Sequence, residues 1–199
     1  METNDTTIEQ LRSAFEADPQ NLNKAIQLAQ LYCDLGWYNE AIDFFRELAE
    51  KNPDSYLLIL EYGNTYYKKK DFKGAIEQFT RLTELRNDRI EGWNNLGIVQ
   101  LQTGDLEAAR ESINKVLDLE PDNAGALINM GNYFHSKGEF DTAITYFERA
   151  VESRMDFPDA WFNLGNALLS VNEYERARFA FQKALKYNPE FASAMKNIG

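Results

Sequence analysis

An all-α solenoid of tandem helical hairpins is the fold class this sequence predicts, and three observations carry it. Glycine recurs at Gly63, Gly97, Gly131, Gly165 and Gly199, every 34 residues, and Ala29 holds the same phase one step earlier. A fixed period of this length marks stacked supersecondary units, none of which buries its apolar face alone. With the glycine counted as position 8, position 20 is Ala41, Ala75, Ala109, Ala143 and Ala177, and position 24 is Phe45, Phe79, Ile113, Phe147 and Phe181. Small residues at 8 and 20 let two helix backbones approach, and the bulky side chain at 24 fills the space beside them. Third, Pro19, Pro53, Pro121 and Pro189 fall at position 32, where proline ends a helix and favours a turn.

The elements follow in order. Residues 7–21 fit the second helix of a preceding partial unit, with Leu11, Ala14 and Pro19 in phase. Unit 22–55 places Ala25, Leu28 and Ala29 on its first helix, breaks at Gly36, continues with Ala41 and Phe45, and ends at Pro53. Unit 56–89 repeats this with Ile59, Tyr62 and Gly63, then Ala75 and Phe79. Unit 90–123 carries Trp93, Leu96 and Gly97, the break Gly104, then Ala109 and Ile113. Units 124–157 and 158–191 carry Leu127, Met130 and Gly131, and Trp161, Leu164 and Gly165, on their first helices. Their second helices hold Ala143 and Phe147, and Ala177 and Phe181. Positions 4, 7, 8 and 11 follow helical periodicity, giving two helices per unit of about 14 residues, or about 21 Å, each. No segment shows the two-residue alternation of an exposed strand.

Departures from the pattern are few. Asn87 and Met155 stand where position 32 is elsewhere proline, and Lys70 and Asn172 where position 15 is elsewhere glycine; softer turns are expected there. Residues 192–199 open a sixth unit with Met195 and Ile198 at positions 4 and 7. The chain ends at Gly199 within that unit, so a trimmed array is the expectation, which raises the chance of a further domain beyond it. Self-association through the uncapped end is the other expectation.

Composition narrows the function. Lys and Arg total 21 against 32 Asp and Glu, a net charge of -11, which disfavours nucleic acid and anionic membranes and favours a neutral or basic protein or peptide partner. The apolar run 56–60 is far too short to span a bilayer, and METNDTTIEQ lacks the basic and apolar regions of a signal peptide; a cytoplasmic protein without membrane insertion is expected. Cys33 is the single cysteine, so it forms no internal disulfide. His135 has no second ligand at metal spacing, Cys33 no histidine nearby, and no Gly-rich phosphate loop occurs, so neither catalytic residues, metal nor cofactor is expected. The cluster KKKDFKG, residues 68–74, reads as a solvated turn.

These residues resemble the tetratricopeptide repeat family, whose pattern runs W-x2-L-G-x2-Y, then A-x3-F, A and P. Trp93, Leu96, Gly97, Ala109 and Pro121 match it in the third unit. In the fifth, Trp161, Leu164, Gly165, Ala177, Phe181, Ala184 and Pro189 do so. Gln100 departs from the usual aromatic at position 11. The resemblance implies a right-handed α–α superhelix whose first helices line a concave groove. Position 6 then presents Asn95, Asn129, Asn163 and Asn197, and position 9 presents Asn64, Asn132 and Asn166. An amide ladder of this kind bonds the N–H and C=O groups of an extended peptide without reading its side chains. It is similar to the asparagine-lined groove of the superhelical domain of protein O-linked N-acetylglucosamine transferase. Tyr67, His135 and Phe162, with Leu57, Leu60 and Leu169, flank it as apolar anchors. The lysine and arginine clamp of co-chaperone domains is missing, because the matching positions hold residues such as Leu60, Glu91, Asp159 and Asn163. The expected function is a non-enzymatic scaffold binding an extended peptide or partner helix. The recruiting domain of a larger enzyme such as a glycosyltransferase is the alternative.

Overall fold

The computed structural model describes residues 2–18 and 21–191, with side chains described for 7–18 and 21–190. Among the described residues the chain is α-helical, with turns and one short 3-10 segment, Pro189–Phe191. The helices are α1 Glu2–Ala17, α2 Leu22–Asp34, α3 Tyr38–Lys51, α4 Tyr56–Lys68, α5 Phe72–Leu85 and α6 Ile90–Thr103. They continue with α7 Leu106–Leu119, α8 Ala124–Ser136, α9 Phe140–Ser153, α10 Pro158–Ser170 and α11 Tyr174–Tyr187. The chain packs as two compact units, residues 1–99 and 100–199.

In the first unit the core passes from hairpin to hairpin. Ile8, Leu28, Tyr32, Cys33 and Ala41 join α1, α2 and α3. Ile26, Ile42, Phe45, Leu58 and Tyr62 carry the core into α4, and Ile59, Phe79, Leu82, Leu96 and Val99 tie α4 to α5 and α6. The second unit buries one cluster across α8 to α11, including Leu127, Phe147, Val151, Leu164 and Leu168. Each large side chain removed from water in this way contributes about 1.5–3 kcal/mol.

The small-residue positions explain how close the helices lie. All five position-20 alanines are fully buried. A Cβ added to Gly63 or Gly165 would stand 2.5 Å from the ring of Phe79 or Phe181, and one on Gly131 would collide with Phe147. The position-24 ring therefore lies on the bare backbone of the position-8 glycine in the same hairpin.

The turns are more uniform than the sequence departures suggest. Gly36, Gly104 and Gly138 take φ of 78°, 79° and 76°, and Lys70 and Asn172 hold the same left-handed conformation at 64° and 62°. Where proline is missing, an indole replaces its constraint. Trp93 Nε1 donates to the Asn87 carbonyl at 3.1 Å, and Trp161 Nε1 donates to the Met155 carbonyl at 2.8 Å. The softening expected at Asn87 and Met155 is thus offset by a tryptophan six residues on. Side chains of Asn21, Asp71, Asp105 and Asn123 accept from the backbone N–H three residues later and cap α2, α5, α7 and α8.

Candidate binding site

In the first unit, Gly63 draws α4 onto Phe79 of α5, which sets the next residue, Asn64, beside that ring. Tyr67, one turn further along α4, leans on Phe72 at the start of α5 with ring centroids 6.1 Å apart. From α6, Asn95 Nδ2 donates to Asn64 Oδ1 at 3.4 Å, and both amides are half-buried. Asn64, Tyr67 and Asn95, with Phe79 and Ile98, enclose a cavity of about 150 Å³. Three of the sequence-predicted residues thus converge on one recess.

The second unit repeats the amide bond. Asn163 Nδ2 on α10 donates to Asn132 Oδ1 on α8 at 3.3 Å. Asn129 precedes Asn132 by one turn of α8 and is half-buried. Asn166 stands one turn beyond Asn163 on α10; the residue 31 further on is Asn197, which lies outside the described residues, as do Met195, Ile198 and Gly199. Phe162 tilts against Phe181 at 5.8 Å. His135 stands edge-on to Phe140 at 5.1 Å, and its buried Nε2 has no hydrogen-bond partner among the described residues. Of the further anchors, Leu57 is exposed, whereas Leu60 and Leu169 pack against the cores of their units.

Both amide bonds link residues 31 apart, a position 6 to the position 9 of the preceding unit. That offset is one period less one helical turn, so the pairing follows from the repeat itself. Phe79 and Ile98 are the lining residues that sequence reasoning missed. Ile98 occupies position 9, where Asn64, Asn132 and Asn166 stand in other units, and that exception was its signal.

Glu91 accepts from the Tyr56 hydroxyl at 3.3 Å and pairs with Arg89 at 3.5 Å, while the Arg89 guanidinium lies over the Tyr56 ring. Lys68, Lys69, Lys70 and Lys73 are exposed around the turn before α5, and Asp71 caps that helix. Among the described residues no group of His, Cys, Asp and Glu is placed to hold a metal ion, and no helix is long and apolar enough to cross a membrane.

Models of the tetratricopeptide repeat match residues 25–55, 94–158 and 158–191, and a TPR repeat model matches 63–104. The chain belongs to the tetratricopeptide repeat family. No curated protein matches the TPR chain significantly. Solved structures with the same fold include MamA, at 23% identity over 83% of this chain and 97% of that one, with a TM-score of 0.70. YrrB, described as a TPR protein with an unusual peptide-binding site, is 20% identical over 96% of this chain and 98% of its own, with a TM-score of 0.65. Cut9 in the APC/C hetero-tetramer Cut9-Hcn1 is 18% identical and has a TM-score of 0.81; the match covers 98% of this TPR chain and 39% of that one. The likeness establishes an all-α TPR solenoid.

Proposed function

We propose that this TPR protein is a non-enzymatic interaction scaffold, and that its asparagine pairs hold the main chain of an extended peptide or the exposed edge of a partner helix. The observation that carries the reading is the Asn95–Asn64 pair at the mouth of the recess lined by Tyr67, Phe79 and Ile98. One bond between two side-chain amides consumes one N–H and one lone pair, so by their chemistry the two retain further donors and acceptors. A peptide group needs one of each, and the adjoining cavity takes a small apolar side chain. The Asn163–Asn132 pair supplies the same device in the second unit. Asn129 and Asn166 extend it, with His135 and Phe162 as anchors. YrrB's printed peptide-binding site and Cut9's assembly with Hcn1 support a binding role on this fold. The net charge of -11 favours a neutral or basic partner.

An array of short unstructured peptides, neutral, basic and acidic, tests this. The tightest binder is titrated by fluorescence anisotropy against the native protein, Asn95→Ala and Asn163→Ala, with circular dichroism as a check on folding. Each substitution removes the donor of one pair and is expected to weaken binding about three- to tenfold, the worth of one or two hydrogen bonds. Unchanged affinity in both variants, with helicity intact, sinks the proposal.

A further inference from the structure

Inside each unit, second helices leave crevices between them, over the first helix that they share: between α1 and α3, between α3 and α5, and between α9 and α11. Position 23 grades their size: a cavity of about 280 Å³ remains beside Phe44 between α1 and α3, and one of about 450 Å³ beside Gln78 between α3 and α5. Phe44 on α3 meets Phe15 of α1 edge-on at 5.4 Å, and Tyr146 on α9 stacks on Phe134 at 5.4 Å. On α11 the same position is Ala180, and the crevice between α9 and α11 stays open, with a volume of about 540 Å³. Its apolar surface comes from Val151, Trp161, Leu164, Leu168, Phe179 and Ala180. A volume of this size falls within the range of ligand-binding clefts.

A second exception lies beside the first. Position 22 is Asp43, Glu77, Glu111 and Thr145 in the other hairpins, yet Phe179 on α11, and it is 54% exposed. A missing ring at position 23 would be only a packing gap; a half-exposed aromatic placed at the gap's edge, with the Lys183 ammonium over one face, is an additional feature. Phe179 stands at 81° to Trp161 with centroids 6.2 Å apart, and Trp161 is held by its bond to Met155. The two rings form a fixed corner.

The rim is acidic. Glu148, Glu152 and Glu175 stand around Arg176, which is itself engaged by Glu148 and Glu173, and the Lys183 ammonium lies 5.1 Å over the Phe179 ring. Glu175 pairs with the exposed Arg178 at 2.9 Å, and Glu152 makes no ion pair among the described residues. Arg176, Arg178 and Lys183 leave Glu152 as the carboxylate in surplus, and an apolar corner beside it selects an apolar side chain followed by a cation.

We propose that the α9–α11 crevice is a second binding site that docks a basic amphipathic helix of a partner protein. One large apolar side chain of that helix seats against Trp161, Phe179 and Leu168, and a lysine or arginine that follows it meets Glu152. The site is separate from the asparagine pairs, which lie on α4 and α6 and on α8 and α10.

The probe is a fluorescein-labelled synthetic helix with leucines on one face and lysines on the other, beside a version with glutamates for lysines. The native protein binds the lysine helix and not the glutamate one. Ala180→Tyr installs the residue that the preceding hairpin carries at this position, closes the crevice without altering charge, and lowers affinity about tenfold or more, as does the surface change Phe179→Thr. Glu152→Lys weakens binding and flattens its salt dependence. Asn95→Ala has no effect on this probe, whereas it does on the peptide of the asparagine site. No binding of the lysine helix, equal binding of the glutamate helix, or full affinity in a well-folded Phe179→Thr protein each overturns the proposal.

Discussion

Lys70 and Asn172 carry a left-handed backbone that glycine adopts in the other hairpins, and they do so at unequal cost. A lysine Cβ crowds the carbonyl in this region by about 1–2 kcal/mol, whereas asparagine tolerates it. Asn172 also accepts the Tyr174 hydroxyl at 2.6 Å, an attachment that glycine would lose. Lys70→Gly removes the crowding and adds some unfolded-state freedom, so we expect a net gain of about 0.5–1 kcal/mol. Asn172→Gly is expected to be neutral or destabilising. Urea unfolding followed by circular dichroism measures both, and a loss of stability in Lys70→Gly would contradict the account. The asparagines of the candidate site teach a related lesson. Their side-chain type and phase were legible in the sequence, but whether Asn95 faces solvent or Asn64 depends on how closely two helices approach, which residue identity does not state.

Three hairpins are closed by a ring lying on a glycine, Phe79 on Gly63, Phe147 on Gly131 and Phe181 on Gly165, and the consequence depends on where that ring can go. Phe147 is 1% exposed and locked inside its cluster, while Phe181 is only half-buried and borders the side where Phe162 lies. Alanine in place of a helical glycine gains about 1 kcal/mol of propensity, against about 1–3 kcal/mol for overpacking a rigid core. Gly131→Ala is therefore expected to lower stability by about 1–2 kcal/mol and Gly165→Ala to change it little, in the same urea assay. Equal effects would mean that ring mobility does not decide the outcome. The hairpins were readable because position 8, position 20 and position 24 are each a local requirement of one helix pair. The roles of Trp93 and Trp161 at the proline-free turns were not, since each joins a side chain in one unit to a carbonyl in the unit before. The open crevice was likewise hidden, because it arises from a ring that Ala180 lacks, and a missing contact leaves no positive mark in a sequence.

At the scale of the whole molecule, ionisation is expected to set an alkaline limit to stability. Burial pushes the Cys33 thiol above its ordinary range, and burial with the bond to the Tyr66 hydroxyl, 3.1 Å away, pushes the Tyr62 phenol well above its own. Both groups are neutral when protonated and lie in residues 1–99, so the folded chain holds these protons more tightly than the unfolded chain. Their contribution is fully present below the unfolded values, about 8.5 for a thiol and about 10 for a phenol, and is lost as pH rises through the raised folded values. The excess of acidic residues acts in the same direction, since every further deprotonation adds to a net charge of -11. The two causes separate by substitution and by salt. Tyr62→Phe abolishes the phenol's titration, so the urea midpoint of the variant should fall less steeply than that of the native chain between about pH 9 and 11, whatever its value at pH 7. Added salt should relieve the part due to repulsion in both proteins while leaving the burial part intact. Parallel pH profiles for the two proteins would assign the alkaline limit to net charge alone and remove Tyr62 from the account.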